Sequence, residues 1–258
     1  MYYKSIDFSK YSSIKVGQIE EVLILEKGDA VPSGRYLISG ANNLLVSPAP
    51  PPLMMLGKDF ATIELERDIL TIGPAMPTGR VVSFARKHDV KGFEFFAKLP
   101  GTVGGMLAMN AGVKSYEIFN ILHRIQIDGK WIPKEEIAYG YRYAELPGIA
   151  TAAEFKIKKG FDQKLLEELV ALRSNQPKEP SAGSAFKNPP GDHAGRLIEA
   201  VGLKGRRERG MAWSEVHANF LVNLGNGTFE EADRLLKLAK ERVYEAFGLS
   251  LKEEIKVL

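Results

Sequence analysis

The 258-residue chain is 45% hydrophobic and 26% charged, which is the composition of a globular protein long enough for two or three compact units. It contains no cysteine, which excludes disulfides, thiolate catalysis and cysteine-ligated zinc or iron-sulfur centres, so any redox chemistry needs an organic cofactor. The formal charge of +3 is too small to indicate nucleic-acid binding, but it suits a protein that handles anionic small molecules.

The sequence shows no candidate membrane span or secretory signal. The longest apolar-looking tract, Pro48 to Leu56, contains four prolines and is far shorter than the ~20 residues that cross a bilayer. The segment Met1 to Lys10 carries three charged residues with no apolar run behind it. We therefore expect a cytoplasmic protein without a membrane partner.

The N-terminal third is predicted to consist of short strands and turns. Tyr36 to Ser39 is apolar and follows a glycine break, and the runs Ile63 to Leu65 and Ile69 to Ile72 flank a Glu-Arg-Asp turn, as in a hairpin. Thr78 is predicted to cap a helix that runs to about His88.

The middle of the chain is predicted to contain a tight hairpin and a helix. Asp128 and Gly129 both tolerate positive φ, which favours a two-residue turn between neighbouring strands. The pattern from Asp162 to Asn175 is helical, and Pro177 follows it. A linker is expected over residues 174–181.

Two further helices are predicted in the C-terminal third. Asp192 is expected to cap a short helix that ends at Gly202. Thr228 and Glu231 form a capping box that opens a long helix, which Gly248 ends.

The tail is predicted to be a half-buried strand. In Leu251 to Leu258, the side chains of Leu251, Ile255 and Val257 alternate with charged ones. Together these elements predict a mixed α+β protein.

Two glycine-rich segments are candidates for function. The first, L-P-G-T-V-G-G-M-L-A-M-N-A-G from Leu99 to Gly112, could let successive backbone N–H groups converge on an anion. Its spacing matches neither a Walker loop nor a dinucleotide-binding G-x-G-x-x-G. A tight turn at a sheet corner is therefore the alternative to a phosphate site.

The second segment, P-S-A-G-S-A-F-K-N-P-P from Pro180 to Pro190, places Ser184 before the polar pair Lys187 and Asn188. A serine in such a loop is commonly a turn residue whose hydroxyl bonds local backbone, and a proton donor is the functional alternative. No histidine stands next to it, which argues against a Ser-His hydrolase. The four histidines show no metal-ligand spacing, so no metal is expected.

Several further motifs occur in order along the chain. They are S-G-A-N-N-L-L-V at 39–46, Tyr141-Arg142, A-G-R-L-I-E at 194–199, H-A-N-F-L-V-N at 217–223, and Glu254 near the end. With the two glycine-rich segments, they resemble the UDP-N-acetylenolpyruvoylglucosamine reductases, the MurB family, over nearly the whole chain. The short length resembles the compact subgroup that lacks a tyrosine-bearing insertion near the substrate.

The resemblance implies a fold and a domain order. It implies a vanillyl-alcohol-oxidase-type (PCMH-type) FAD-binding fold of two α+β subdomains, followed by a C-terminal α/β substrate-binding domain. We expect the first subdomain at 1–52, the second at 53–174 and the substrate-binding domain at 175–258. We expect a monomer.

The resemblance also implies an activity. An enzyme of this kind transfers hydride from NADPH through FAD to the enolpyruvyl group of UDP-N-acetylglucosamine enolpyruvate, and so gives UDP-N-acetylmuramate for peptidoglycan synthesis. One alternative is another flavin oxidoreductase of the same fold that acts on an alcohol. The other is a UDP-sugar-binding module without redox chemistry.

The resemblance places the pyrophosphate of FAD at two loops. The predicted cofactor-binding residues are Gly40, Ala41, Asn42, Asn43, Leu44, Gly101, Thr102, Gly104, Gly105, Asn110 and Ala111. The family's first loop is commonly G-G-G-S-N, and this chain has Ser39, Ala41 and Asn42 at three of those positions. Alanine accepts positive φ less readily than glycine, and Asn42 offers an amide where serine offers a hydroxyl.

Three catalytic residues follow from the resemblance. Hydride delivery to C3 of the enolpyruvyl group leaves negative charge at C2 and its carboxylate, which the permanently charged Arg142 would stabilise. Ser184 would then protonate C2. Glu254 would face the substrate carboxylate, either protonated or through a water, with Glu253 as the alternative if the register is off by one.

Three further residues are expected to bind the substrate. They are Lys187 and Asn188, which follow Ser184, and Tyr141, which precedes Arg142. Without the resemblance, Arg142 would be read as a surface arginine and Glu254 as part of a solvated ion-pair stripe.

Overall fold

The structure is a computed structural model that describes residues 1–172 and 174–258. The chain divides into two compact units, each assembled from several segments. The first unit contains Met1–Tyr3, Leu23–Gly40 and Met54–Ser174, and the second contains Lys4–Val22, Ala41–Leu53 and Asn175–Leu258. Both units combine strands with helices, which confirms the predicted mixed α+β class. The domain borders expected at residues 52 and 174 stay predictions.

Short strands dominate the chain. In chain order they are β1 (Tyr2–Asp7), β2 (Ile19–Leu25), β3 (Tyr36–Ile38), β4 (Leu44–Leu45), β5 (Leu53–Leu56), β6 (Ile63–Glu66), β7 (Ile69–Ile72), β8 (Val90–Lys91), β9 (Gly112–Val113), β10 (Tyr116–Glu117), β11 (Leu122–Ile127), β12 (Lys130–Pro133), β13 (Tyr139–Gly140), β14 (Tyr143–Ala144), β15 (Ala150–Lys156), β16 (Lys158–Lys159), β17 (Ser181–Ser184), β18 (Arg207–Glu208), β19 (Met211–Trp213), β20 (Phe220–Asn223) and β21 (Lys256–Val257).

Helices are fewer and lie between groups of strands. They are α1 (Phe8–Tyr11), α2 (Thr78–Lys87), α3 (Val103–Ala108), α4 (Ile118–Ile121), α5 (Gln163–Ala171), α6 (Ala194–Ala200) and α7 (Phe229–Phe247), with 3₁₀ turns at Lys58–Phe60, Glu94–Lys98 and Lys134–Glu136. Among the residues that the structure describes, no helix combines the length and apolar character needed to cross a bilayer.

The first unit is built on a five-stranded antiparallel sheet with the order β12-β11-β15-β7-β6. Its core is aliphatic and aromatic and includes Leu70, Phe93, Phe96, Phe119 and Phe155, each at most 2% exposed. In the same unit, the later residues of β2 pair in parallel with β5. The predicted strand at Tyr36 is confirmed as β3.

Two hairpins in the first unit follow the predicted turn chemistry. Asp128 and Gly129 have φ of +50° and +76°, and Ile127 pairs with Lys130 across the turn, which confirms the hairpin of β11 and β12. The hairpin of β6 and β7 is also confirmed, and Arg67 at its turn has φ of +54°.

Helix α2 forms where it was predicted, but the role expected for Thr78 was wrong. The N-cap position is Pro77, which has no side-chain hydrogen bond to the helix. The Thr78 hydroxyl instead donates to the carbonyl of Leu99 at 2.6 Å. A threonine at the first helical position can turn its hydroxyl away from the helix when a neighbouring loop offers a carbonyl, and here that loop is the glycine-rich segment.

Helix α5 begins as predicted and ends earlier. Asp162 caps it by accepting a hydrogen bond from the Leu165 N–H at 2.9 Å. The helix ends at Ala171, before the expected end at Asn175. Of the residues beyond that end, Arg173 lies outside the described residues. Ser174 and Asn175, at the end of the predicted range, have weak helix propensity.

The second unit contains a four-stranded antiparallel sheet with the order β17-β20-β19-β18, and α6 and α7 share its core. That core includes Phe186, Leu197, Trp213, Leu235 and Val243. The last residue of the predicted linker at 174–181 belongs to this sheet, because β17 begins at Ser181.

Helix α7 confirms the capping prediction at both ends. The Thr228 side chain accepts a hydrogen bond from the Glu231 N–H, and the Glu231 carboxylate accepts one from the Thr228 N–H. Gly248 ends the helix with φ of +66°.

The predicted cap of α6 was wrong. His193 is the residue before the helix, and the Asp192 carboxylate accepts the His193 N–H and pairs with Arg196 instead of capping. The Asn188 side-chain oxygen accepts the first helical N–H, that of Ala194, at 3.0 Å. The helix ends at Ala200, followed by Gly202 with φ of +72°, close to the expected end.

The tail was wrongly predicted as one continuous strand. Leu251 and Ile255 are buried, but Val257 is 38% exposed, and only β21 has strand geometry. Glu253 bridges to Phe186, whereas β21 pairs in parallel with β4. This change of partner bends the chain near Glu254 and breaks the alternation.

Candidate active site

Ser184 is the last residue of β17 rather than a loop residue, so the expected loop position was wrong. The strand pairs with β20, with Ser184 opposite Phe220 and a register shift between Ser181 and Ser184. Gly183 has φ of +80°, a conformation that side-chain-bearing residues rarely adopt. Such an irregularity changes the direction in which the next residue, Ser184, leaves the strand.

The backbone of the second unit brings Ser184 and Glu254 together. The Glu254 N–H donates to the carbonyl of Ala185, the residue after Ser184, at 2.8 Å. One residue further along, Phe186 bridges to Glu253, and the Lys187 N–H donates to the Lys252 carbonyl at 2.8 Å. Segments almost seventy residues apart in sequence are thus joined as a short ladder.

The structure distinguishes Glu254 from its neighbour Glu253. The Glu253 carboxylate lies 2.5 Å from Nζ of Lys240 on α7. This ion pair engages Glu253 with a helix, whereas the Glu254 main chain bonds to Ala185.

Asn219 and His217 hold the segment that follows Ser184. The Asn219 side chain accepts the Phe186 N–H at 3.0 Å and donates to the Phe186 carbonyl at 2.8 Å, as a neighbouring strand would. The Asn219 N–H donates to Nδ1 of His217 at 3.2 Å. A Cβ on Gly195 of α6 would lie 3.2 Å from His217 Cε1, so a glycine admits the imidazole ring.

Burial lowers the pKa of the half-buried His217 below its ordinary value of 6.5, with a smaller contribution from the positive charge of Lys204. The neutral ring matches its geometry, because Nδ1 must lack a proton to accept the Asn219 N–H. His217 is therefore a structural histidine, as the sequence favoured.

The first predicted cofactor loop is fixed to the tail of the second unit by Asn43. Its side-chain amide donates to the Glu254 carbonyl at 2.9 Å, and its own carbonyl accepts the Lys256 N–H at 2.9 Å. Leu44, which is 8% exposed, then pairs with Lys256 in the parallel contact of β4 and β21.

Ala41 and Asn42 show how this loop departs from the common glycine pattern. Ala41 has φ of +48°, the left-handed region that disfavours a side chain. Asn42 donates its amide to the Ser13 hydroxyl at 2.7 Å, and the Ser13 N–H donates to the Ala41 carbonyl at 3.1 Å. The turn is therefore held from outside by the N-terminal segment.

The two predicted substrate-binding residues of the second unit, Lys187 and Asn188, differ in exposure and in the contacts they make. Asn188 is exposed, but its side-chain oxygen also accepts the first N–H of α6, that of Ala194. Lys187 is half-buried, and its main chain joins the ladder to Lys252.

In the first unit, the glycine-rich segment from Leu99 to Gly112, which contains the second predicted cofactor loop, forms a tight turn into α3. The Val103 N–H donates to the Met76 carbonyl at 3.0 Å, and the Gly104 N–H donates to the Pro74 carbonyl at 2.8 Å. Thr102 caps α3 by accepting the Gly105 N–H. Several N–H groups expected to face an anion are therefore bonded within the protein.

The glycines of this turn allow close approach between segments. A Cβ on Gly105 would lie 2.8 Å from Oγ of Ser39, and one on Gly104 would lie 3.0 Å from Cβ of Pro74. Gly101 has φ of +125°. Because Ser39 immediately precedes Gly40, the start of the first predicted cofactor loop lies close to Gly105 of the second.

Arg142 lies at the tip of the hairpin formed by β13 and β14, where Gly140 pairs with Tyr143. Its φ of +61° is unusual for an arginine. Its side chain is 16% exposed, and Nη2 donates to the Gly112 carbonyl at 2.9 Å. The guanidinium lies 5.0 Å from the ring centre of the exposed Tyr141. Arg142 is therefore not the solvated surface arginine that its sequence context alone would suggest.

The structure places Asn110 and Ala111 inside the first unit. Asn110 is fully buried, and its amide donates to the Glu117 carboxylate at 2.8 Å and to the Gly140 carbonyl at 3.0 Å. Ala111 is 9% exposed, and its backbone is bonded to Met106 and Ile118. Their cofactor role stays a prediction.

Sequence reasoning missed three residues that support these groups. Glu117 lies beside Arg142, Thr78 holds the glycine-rich segment, and Asn219 clamps Phe186. The Asn219 position was visible within the motif at 217–223, but the roles of Glu117 beside Arg142 and of Thr78 at Leu99 were not, because each of these two contacts joins residues more than twenty positions apart. Among the described residues, no group of three or more His, Asp or Glu side chains could hold a metal ion.

Known proteins match nearly the whole chain, and a family model matches its C-terminal third. Residues 176–258 match the family model described as UDP-N-acetylenolpyruvoylglucosamine reductase, C-terminal domain. The UDP-N-acetylenolpyruvoylglucosamine reductase of Helicobacter hepaticus is 47% identical over 257 residues, which cover 98% of each chain. That of Campylobacter jejuni (strain RM1221) is 43% identical over 258 residues, covering 98% of this chain and 99% of that protein.

A solved structure extends the agreement to three dimensions. The crystal structure of UDP-N-acetylenolpyruvylglucosamine reductase (MurB) from Thermus caldophilus matches 100% of this chain and 99% of that chain, with a TM-score of 0.85 and 31% sequence identity. Because sequence and structure agree from end to end, this chain belongs to the UDP-N-acetylenolpyruvoylglucosamine reductase family.

Proposed function

We propose that this chain catalyses the reduction for which its family is named, with FAD as its bound cofactor and NADPH as the hydride donor. The substrate is the enolpyruvyl ether of UDP-N-acetylglucosamine, and the product is the lactyl ether, UDP-N-acetylmuramate. The protein is an oxidoreductase of peptidoglycan biosynthesis.

Two loops of the chain are proposed to bind the pyrophosphate of a flavin nucleotide. Within the first unit, the close approach of Gly105 to Ser39, the residue before Gly40, supports the proposal. The residues proposed to hold it are Gly40, Ala41, Asn42, Asn43, Leu44, Gly101, Thr102, Gly104 and Gly105. FAD, when bound, supplies the carrier that passes hydride from NADPH to the substrate.

Arg142 is the proposed partner of the substrate carboxylate. Its guanidinium is always charged and can grip a carboxylate with two parallel donors. The side chain is 16% exposed, and it is held by the Gly112 carbonyl at 2.9 Å. In such a poorly screened site, a fixed positive charge stabilises the negative charge that develops at C2 and the carboxylate far more than it would in bulk water.

Ser184 is the proposed proton donor to C2. A hydroxyl is a weak acid, but a carbanion-like carbon is a very strong base, so position matters more than acidity. The glycine at φ of +80° and the register shift before Ser184 set the direction in which this residue leaves the strand, which supports the proposal. A proton transfer requires the two atoms within hydrogen-bond reach, so the placement of the donor decides its use.

Glu254 is the proposed carboxyl group at the substrate end of the site. The observation that carries the proposal is the hydrogen bond from the Glu254 N–H to the Ala185 carbonyl at 2.8 Å, which sets this residue beside Ser184. The neighbouring Glu253 pairs with Lys240 of α7.

Lys187, Asn188 and Tyr141 are proposed to bind the sugar nucleotide. Residues 175–258 are proposed as the substrate-binding domain, after two FAD-binding subdomains at 1–52 and 53–174. The match of the family's C-terminal model to 176–258 supports the last of these borders. We expect a cytoplasmic monomer.

One set of measurements tests this function. The purified protein should be yellow and release FAD on denaturation, and it should oxidise NADPH rapidly only when the enolpyruvyl sugar is present. A colourless protein that cannot be reconstituted with FAD would contradict the proposal. Rapid oxidation of a small alcohol by oxygen would instead favour a different flavin enzyme of this fold.

A further inference from the structure

Glu117 is a charged residue of the first unit to which no motif assigns a role. One oxygen of its carboxylate, Oε1, lies 3.7 Å from Nη1 of Arg142. The other oxygen accepts a hydrogen bond from the Asn110 amide at 2.8 Å. The Glu117 and Arg142 side chains are 20% and 16% exposed, so water screens their interaction less than that of a surface pair.

Two of the contacts of Arg142 come from opposite residues of one small ladder. Strands β9 and β10 pair so that Glu117 lies directly across from Gly112. The Gly112 carbonyl accepts a hydrogen bond from Nη2 of Arg142, while the Glu117 carboxylate lies beside Nη1. Because the ladder holds Gly112 and Glu117 opposite each other, the carbonyl and the carboxylate lie at two different nitrogens of one guanidinium.

Asn110 ties this ladder to the hairpin that carries Arg142. Its amide donates both to Glu117 and to the carbonyl of Gly140, which lies two residues before Arg142. Its side-chain oxygen accepts the Phe119 N–H at 3.2 Å. Asn110 is fully buried, so these bonds are protected from water.

An arginine side chain must be restrained by neighbouring groups if it is to hold a ligand in one geometry. The free side chain has many rotamers, and ordering it on binding would weaken both affinity and alignment. At Arg142 the strained φ of +61° sets where the side chain starts, and the two groups of the ladder set where it ends.

We propose that Glu117 is a positioning residue that holds the Arg142 guanidinium for the substrate carboxylate through its negative charge. The inference rests on the proposed function, because it concerns the orientation of Arg142 during enolpyruvyl reduction. Glu117 itself touches Arg142 and Asn110 and takes no direct part in the chemistry.

The variant Glu117→Gln separates the charge from the hydrogen bond. Glutamine keeps the size of the side chain and an oxygen that can accept from Asn110, but it removes the charge beside Arg142. We expect the rate at which the enolpyruvyl sugar reoxidises the reduced enzyme to fall by about tenfold to a hundredfold. FAD content and the rate at which NADPH bleaches the flavin absorbance should not change.

A matched control is available in the same unit. Glu154 is 7% exposed and accepts two hydrogen bonds from Arg124, from Nε at 2.5 Å and from Nη2 at 3.0 Å. The variant Glu154→Gln removes the negative charge beside Arg124. This pair lies elsewhere in the unit and has shorter contacts than Glu117 and Arg142. It should lower thermal stability and leave both half-reactions at the wild-type rate.

Two outcomes would overturn the inference. One is a Glu117→Gln enzyme that reacts with the enolpyruvyl sugar at the wild-type rate, because then the charge orients nothing. The other is an equal slowing of both half-reactions or a loss of FAD, which would show a merely structural role. An Arg142→Lys enzyme with wild-type reoxidation would instead overturn the proposed role of Arg142, so the two failures are distinguishable.

Discussion

The side-chain amide of Asn43 donates a hydrogen bond to the main-chain carbonyl of Glu254 at 2.9 Å, across 211 positions of sequence. Asn43 belongs to the predicted FAD loop, and Glu254 is the proposed catalytic carboxyl residue. The bond is partly buried, and the Lys256 N–H donates a second bond to the Asn43 carbonyl. The backbone that carries the carboxyl group is therefore held by the loop that carries the proposed cofactor contacts.

Replacement of Asn43 by alanine should affect both stability and turnover. Loss of this partly buried hydrogen bond should lower the free energy of unfolding by about 1 to 2 kcal/mol. Turnover should fall as well, because the Glu254 backbone loses one of its restraints. Urea unfolding and steady-state NADPH oxidation measure the two effects.

The control for Asn43 is Asn120→Ala. Asn120 also donates its amide to a main-chain carbonyl, that of Ser115 at 2.8 Å, but on the exposed surface of the first unit. It should cost less stability and leave turnover unchanged. Equal turnover in the two variants would show that the Asn43 contact does not position Glu254.

Two glycine substitutions with opposite expected effects on stability, one in the predicted second cofactor loop and one outside it, test that loop. Gly101 has φ of +125°, so Gly101→Ala should destabilise the protein by about 1 kcal/mol or more and lower FAD affinity. Gly79 lies in α2 with open space where a Cβ would project, so Gly79→Ala should stabilise by about 0.5 to 1 kcal/mol. Thermal unfolding and flavin titration measure both, and a stabilising Gly101→Ala would contradict this reading of the loop.

Substitutions of the neighbouring residues Glu253 and Glu254 should have different effects on turnover. Glu253 pairs with the partly exposed Lys240, and such pairs contribute little, so Glu253→Gln should change stability by less than about 1 kcal/mol and leave turnover intact. Glu254→Gln should slow the step in which the enolpyruvyl sugar is reduced. The opposite pattern, with Glu253→Gln inactive and Glu254→Gln active, would show that the register is off by one.

His217 should make the Ser184 segment sensitive to acid. Its pKa is lowered in the folded protein because burial disfavours the charged ring, so the unfolded chain binds its proton more readily. The contribution is fully present above the ordinary pKa of 6.5 and is lost as pH falls from there towards the lowered folded value. Protonation of Nδ1 would also break the bond from Asn219, which clamps Phe186.

Unfolding measurements at about pH 7.5 and about pH 5 check this dependence. Over this window the wild type should lose more stability than His217→Gln, which has no titrating ring. An identical loss in the two proteins would mean that His217 titrates alike in the folded and unfolded states. NMR titration of the ring would measure the shift directly.

Local chemistry made the secondary structure predictable, and tertiary contacts account for most of the misses. The Thr228 capping box and the Asp128-Gly129 turn are determined within a few residues, and both predictions were confirmed. Thr78 and Asp192 looked equally suited to capping, but a loop carbonyl and Arg196 engage them instead. The partner of Thr78 is distant in sequence and cannot be read from a local pattern, whereas Arg196 follows Asp192 by four residues and competes locally with the cap.

The candidate site shows the same division. The residues Arg142, Ser184 and Glu254 came from a family resemblance, because their spacing alone favoured ordinary surface roles. The supporting roles of Glu117 and Asn219 became visible only with the fold, although Asn219 lies within the motif at 217–223, since each acts through a neighbour brought close by strand pairing. The bend near Glu254 was missed for the same reason, because the tail exchanges one pairing partner for another.

The most direct test of the central claim is a stopped-flow comparison of wild type and Ser184→Ala. NADPH should bleach the flavin absorbance at the same rate in both proteins, because Ser184 has no part in that step. Return of the absorbance on adding the enolpyruvyl sugar should be slower in Ser184→Ala by about a hundredfold or more, since C2 has lost its positioned proton donor. Recovery at the wild-type rate would contradict the account.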